Sequence, residues 1–244
     1  MIAASTFPGG TSLSHLDIYD DAGPDGVCGG SPHMHLVSTE AYLVVAGEGA
    51  LQTIDADGFR QTPLSAGTVV WFTPGTIHRA VNHGGLQVLV LMSNAGLPEA
   101  GDAVMTFPAG IVADPGAYAA AASLGDEQGR ADRAARRRDL AVSGFEVLRD
   151  AVLAGEREPL EHFQAAAAAL VRERAGSWAQ IVRDGPLAQA ERDAAWIEDL
   201  VGGTATHLAE ARVHEAEQGA GERLFGMCGR IRPYDVTTRD EEPR

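Results

Sequence analysis

From Thr11 to about Phe107, apolar runs of four to eight residues alternate with Gly, Pro, Asp and Asn clusters. That rhythm predicts short strands joined by tight turns, as in an all-β sandwich or barrel. The expected strands are 12–19, 40–46, 50–54, 68–73, 77–81 and 86–92. Turn signals separate them at Gly47-Glu48-Gly49, Asp55-Ala56-Asp57-Gly58, Pro74-Gly75 and Asn82-His83-Gly84-Gly85, which reads as a meander of hairpins.

Beyond about Ala113 the period changes. Ala, Glu and Arg dominate, and apolar residues recur every three or four positions, which favours helix. Ser143 with Glu146 forms a capping-box signal ahead of Phe145, Leu148 and Val152. The helical period returns in Leu160, Phe163, Ala167, Leu170 and Val171, and again in Leu187, Ala190, Ala194, Ile197 and Val201. Four or five helices are expected, forming a bundle that buttresses the barrel or makes a dimer contact. Arg136-Arg137-Arg138 reads as a solvated helix face, and His207 and His214 as solvated side chains. The chain thus divides into a β part, 1–112, and a helical part, 113–244. Within the latter, 223–236 is extended and returns to the barrel edge, while 237–244 is a polar, frayed tail.

Charge narrows the range of partners. Thirty-four acidic residues against nineteen basic ones give a net charge of −15, which repels a phosphate backbone, so nucleic acid is not an expected partner. All nineteen basic residues are Arg, so chemistry that needs a lysine amine of this chain is excluded. No apolar run approaches the ~18 residues of a membrane span, and residues 1–10 lack the charge and apolar stretch of a signal peptide. A cytoplasmic protein is expected. In that compartment Cys28 and Cys228 read as free thiols.

One constellation carries chemistry. His33-Met34-His35 sets two imidazoles on the same side of an extended segment. Glu40 opens the next strand, where a turn brings its carboxylate back beside them. His78 arrives on a later segment. Three imidazoles and one carboxylate suit a divalent transition metal ion (Fe, Mn, Ni, Co, Cu or Zn) rather than Ca or Mg. Four ligands leave two positions of an octahedral ion open. By alternation Tyr42 shares the Glu40 face, either orienting a ligand or acting as an acid, or serving as a core aromatic. Gln52 and Met92 are pocket-lining candidates. Cys28, five residues before His33, could approach the cavity, although free cysteine is usually a small buried apolar group.

These segments resemble the paired motifs of the cupin superfamily. His33, His35, Glu40 and Gly47 fall on the first motif, with Gly26 one residue farther upstream than in its commonest form; Gly67, Gly75, His78 and Asn82 fall on the second, with Pro74 where the usual proline position is Thr73. The motifs run from Gly26 to Asn82, and the helical remainder lies outside the resemblance. It implies a mainly β plus α protein: a jelly-roll-like double-stranded β-helix, the cupin β-barrel, over about 12–107, followed by helices. It also implies a metal-dependent enzyme holding one transition metal ion, iron first, on His33, His35, Glu40 and His78. The foremost expectation is a non-haem Fe(II)-type dioxygenase acting on a small organic substrate. The alternatives are a metal-dependent isomerase, epimerase or decarboxylase, or, in a different class, a non-catalytic small-molecule sensor. Sugar-phosphate chemistry is disfavoured because the β part has only Arg60 and Arg79 as cations, although Arg230 or Arg232 could be supplied from beyond the helices. A homodimer is expected, as is common in the family.

Overall fold

The structure, a computed structural model, describes residues 7–236; the tail expected at 237–244 lies outside the described residues. Among the described residues nine strands form one connected sheet: β1 (Ser12–Ile18), β2 (His33–His35), β3 (Glu40–Asp55), β4 (Gly58–Ser65), β5 (Val69–Phe72), β6 (Ile77–Met92), β7 (Ala103–Met105), β8 (Leu224–Phe225) and β9 (Gly229–Pro233). The main path is β4-β3-β6-β1-β9-β8; β2 pairs with β6 and β7, and β5 pairs with β3. This is the barrel-type β architecture expected, with helices after it.

Two of the expected turns are not turns. Gly47-Glu48-Gly49 and Asn82-His83-Gly84-Gly85 lie inside two 16-residue strands, β3 and β6, which pair with each other almost throughout. The ladder shifts register between Val44 and Gly49, so both strands bend together without ending. Gly47 has φ +70, and a Cβ there would sit 2.2 Å from the Gly85 carbonyl oxygen, so glycines facing each other permit the bend. Asn82 fastens it. Its Oδ1 accepts from the Gly84 and Leu86 N–H groups, and its Nδ2 donates to the Ile18 carbonyl 2.9 Å away. Strand β4, absent from the expected set, is a polar edge strand that holds Pro63, so alternation alone does not reveal it.

The helices are α1 (Ala109–Val112), α2 (Pro115–Ala122), α3 (Arg130–Leu153), α4 (Glu158–Val182) and α5 (Ala188–Val201). Asp114 caps α2 by accepting from the Gly116 and Ala117 N–H groups. The capping box expected at Ser143 is not formed: Ser143 lies mid-α3, and its hydroxyl donates back to the Leu140 carbonyl. One apolar cluster fills the barrel, with Leu16, Tyr42, Val88 and Val90 in it. A second joins barrel to helices, where Met34, Ile54, Ile77 and Val104 meet Phe145, Leu160, Phe163 and Trp178. The helices therefore buttress the barrel. His207 and His214 share no α-helix: His207 sits in a short turn stacked on Trp196, with ring centroids 4.9 Å apart.

The arginine run is a solvated face only at Arg136, because Arg137 and Arg138 are buried. Arg138 pairs with Asp21 and donates to the Ala22 carbonyl, while Arg137 donates to the Gly226 carbonyl at 2.6 Å. The two guanidiniums thus clamp α3 to the loop after β1 and to the segment leading into β9. After these helices β9 pairs antiparallel with β1, Leu16 standing opposite Ile231.

A third arginine, Arg79, has no exposed surface and is held by Asp25 through contacts of 2.5 and 3.2 Å. Partial burial would raise the Asp25 pKa, but the Arg79 charge outweighs it and holds the carboxyl below 3.8. A carboxyl with a lowered folded pKa adds stability above its unfolded value and loses it as pH falls through the folded one. Asp25→Asn is expected to lower stability by about 2 kcal/mol at neutral pH, since a buried charge loses its partner, with a discount for partial exposure. Urea unfolding at pH 7 and pH 3 checks this: the gap between parent and variant should narrow at pH 3.

Candidate metal centre

Strand register assembles the four residues. His33 stands directly opposite His78 across the β2–β6 ladder, and His35 is two residues along the same face. The chain turns at 36–39 and re-enters the sheet at Glu40. All four are buried, and one ligating atom from each lies within 4.8 Å of the others.

The hydrogen bonds behind the rings decide which nitrogens face inward. His33 Nδ1 is 2.9 Å from the Ser31 carbonyl and His78 Nδ1 is 3.2 Å from that of Thr76, which assigns the proton to Nδ1 in both. Their Nε2 lone pairs then face each other at 3.1 Å. Glu40 Oε2 lies 3.2 Å from both His35 Nε2 and His78 Nε2, yet is a buried oxygen without a hydrogen bond of its own. The His33 and His78 lone pairs and the Glu40 carboxylate oxygen converge on one point, which suits a cation there once His35 gives up its Nε2 proton. Three of the separations, 3.1, 3.2 and 3.2 Å, are close enough for one ion to touch both atoms of each pair through bonds of ~2.1 Å.

Burial, reinforced by the neighbouring imidazoles, pushes the His33 pKa well below 6.5, so it is a neutral ring, as ligation requires. Burial would lower His35 as well, but Asp102 and Glu40 outweigh it and hold its pKa up to about 9. A proton and a metal ion are therefore alternatives at His35 Nε2. Burial opposes ionisation of Glu40, but His78 and His35 outweigh it, and its pKa lies far below the usual carboxylate range.

Asp102 was not singled out by the sequence. It has no exposed surface; Oδ1 accepts from the Leu36 and Val37 N–H groups, and Oδ2 accepts from the Ser38 N–H. Oδ2 is also 3.3 Å from His35 Nδ1. One carboxylate thus orients the His35 ring and pins the turn that carries the chain from His35 to Glu40. If the four residues hold a metal ion, Asp102→Asn is expected to weaken its binding by roughly 10- to 100-fold, as loss of an outer partner does. Competition against a chelator, with the circular dichroism spectrum as a check on folding, measures this.

The cluster opens on a cavity of about 490 Å³. His33, His35, Glu40 and Tyr42 reach its wall from one side, and Met227, Cys228 and Ile231 from the other. Tyr42 shares the Glu40 face, as alternation requires, and its hydroxyl donates to Cys228 Sγ at 3.6 Å. Burial, with Cys228 and Glu40 adding to it, pushes the Tyr42 pKa well above 10. Burial likewise pushes the Cys228 thiol up to about 12. Both cysteines are free, and the one at the cavity is Cys228, not Cys28, which bridges to Ala22 in the outer loop. Met92 lines the cavity; Gln52 does not, since its side chain pairs with Gln61 on the hairpin. Arg230 and Arg232 also stay out. They flank Ile231 on β9 and point the other way, Arg230 over the Phe225 ring at 3.8 Å and Arg232 to the Gly221 carbonyl.

A barrel of bent strands, with three histidines and a glutamate gathered on its inner wall, defines a class that the sequence comparison identifies. Residues 24–93 match the cupin domain family, so the chain carries a cupin domain over that stretch. No curated protein matches the sequence. Among solved structures, Streptomyces PAC13 with uridine is 15% identical, covers 43% of this chain and 69% of its own, and has a TM-score of 0.30. An uncharacterised conserved protein with a double-stranded β-helix domain, from Klebsiella pneumoniae, is 19% identical over 38% of this chain and 68% of its own, TM-score 0.25. WlaRA, a TDP-fucose-3,4-ketoisomerase from Campylobacter jejuni, is 14% identical over 37% and 64%, TM-score 0.31. These likenesses assign no role to any residue. No helix among the described residues is long and apolar enough to cross a membrane.

Proposed function

We propose that His33, His35, Glu40 and His78 hold one divalent transition metal ion, iron foremost, and that the chain is a non-haem Fe(II)-type oxygenase acting on a small organic substrate in the adjoining cavity. The observation that carries this reading is the gathering of one ligating atom each from His33, His35, Glu40 and His78 within 4.8 Å of one another beside the cavity. A redox-active ion there would supply electrons for oxygen chemistry and polarise a substrate oxygen. The chain's own groups set the rest. Tyr42 stays protonated at neutral pH and so is not a base; its hydroxyl would donate to a substrate only by turning from Cys228. Cys228 stays a thiol and so is a weak nucleophile.

A second reading, a metal-dependent isomerase, draws on the Tyr42 hydroxyl as a hydrogen-bond donor that would polarise a substrate carbonyl without giving up its proton. Oxygen uptake separates the two. Iron-loaded protein is offered a panel of neutral phenols and diketones with and without dioxygen. Turnover that consumes dioxygen is expected; equal turnover in its absence would sink the oxygenase and favour the isomerase.

A further inference from the structure

We infer that the substrate body is uncharged and largely apolar, with its polar end toward the metal centre, and that compounds with an anionic group remote from that end are rejected. This rests on the proposed metal centre for the orientation of the ligand, but on the cavity wall alone for its charge.

The wall facing the cluster is built from Leu16, Val90, Met92, Met227 and Ile231. The chain has no lysine, and no arginine lines the cavity among the described residues. Among the described residues, four arginines that could have served are committed elsewhere. Arg79 is locked on Asp25, and Arg137 on the Gly226 carbonyl. Arg230 and Arg232 are turned away by the alternation of β9, which spends its inward position on Ile231. An anionic group at the end remote from His35 and the proposed ion would shed its hydration without meeting an arginine or lysine, which is strongly unfavourable. A cationic body fares little better. Glu40 is engaged with the histidines, Asp235 has partners of its own, and Glu99 is exposed, where an ion pair adds little. A mostly apolar wall around a few polar groups is the usual construction for a neutral small-molecule pocket, and 490 Å³ is within the usual size range.

Two probes with the same body and polar head test the inference: 2-naphthol and its 6-sulfonate, titrated calorimetrically into zinc-loaded and metal-free protein. At least tenfold tighter binding of 2-naphthol is expected in both forms. The visible spectrum of cobalt-loaded protein should shift with 2-naphthol, placing it beside the centre. Ser14→Arg or Ile231→Arg, at half-buried wall positions, should each narrow or reverse the preference; two sites keep the test standing if one variant fails to fold. Equal or tighter binding of the sulfonate by the parent protein overturns the inference, as does failure of both probes to bind. Elemental analysis reports separately on the centre: protein that holds no metal yet prefers 2-naphthol sinks the proposed function and keeps the charge rule.

Discussion

Replacing His78 by alanine is expected to abolish stoichiometric metal binding while leaving the barrel folded. His78 Nε2 lies close to both His33 Nε2 and Glu40 Oε2, so its removal takes away the atom that ties the two sides of the cluster together. Loss of an outer partner costs 10- to 100-fold in affinity; loss of a ligand should exceed ~100-fold. Elemental analysis after gel filtration measures it, and thermal unfolding of the metal-free forms shows whether the fold survives. The imidazole is wholly buried and packs on Phe72 at 4.1 Å, so some loss of stability is expected. A variant that folds and still retains one equivalent of metal would remove His78 from the ligand set.

The second large effect concerns the seam between barrel and helices. Gly144 lies in α3, and a Cβ there would stand 2.0 Å from the Thr106 carbonyl oxygen and 2.8 Å from the Phe107 carbonyl carbon. These are backbone atoms, which cannot rotate aside. Beside this contact Thr106 Oγ1 donates to the Ala141 carbonyl at 2.8 Å, so α3 and the segment after β7 meet main chain to main chain. Gly144→Ala is expected to destabilise by about 3 kcal/mol through overpacking. That lowers Tm by roughly 6–12 °C for a chain of this size. Gly176→Ala is the control. It also sits mid-helix, in α4, but nothing lies within 4 Å of its added Cβ, so it should stabilise by roughly 0.5–1 kcal/mol. Similar behaviour of the two variants would mean that helix propensity, not close approach, governs the seam.

The contrast between these glycines shows what a sequence carries locally and what it does not. The strand and helix regions were legible because their periods differ over windows of ten or more residues. The clustering of His33, His35, Glu40 and His78 was legible because two histidines two apart, a glutamate after a turn and a later histidine on a strand are local patterns that one sheet register joins. Bends were not distinguishable from turns: Gly47 and Gly84–Gly85 look like loop punctuation until they are seen facing each other across paired strands. Asp102 gave no signal, because its work is done on the N–H groups of residues some 65 positions earlier. The arginine run misled for a related reason. Arg137 and Arg138 read as surface by composition, and only their distant partners, the Gly226 carbonyl and Asp21, account for their burial. Cys228 was missed in favour of Cys28 because proximity in sequence stood in for proximity in space.

The pairing of β9 with β1 has a consequence for the order of assembly. Cys228 follows His78 by 150 residues. At ~5–20 residues per second, a ribosome takes roughly 8–30 s to cover that interval. All four histidine and glutamate side chains are made before the strand that closes the far wall of the cavity exists. Joining Ser12–Ile18 to Gly229–Pro233 is among the most distant contacts the chain makes, so it bears a large loop-closure entropy and belongs among the late events of folding. During synthesis the nascent barrel therefore presents its inner wall to the surrounding solution. An ion captured then would be sealed in place by the last strand to arrive.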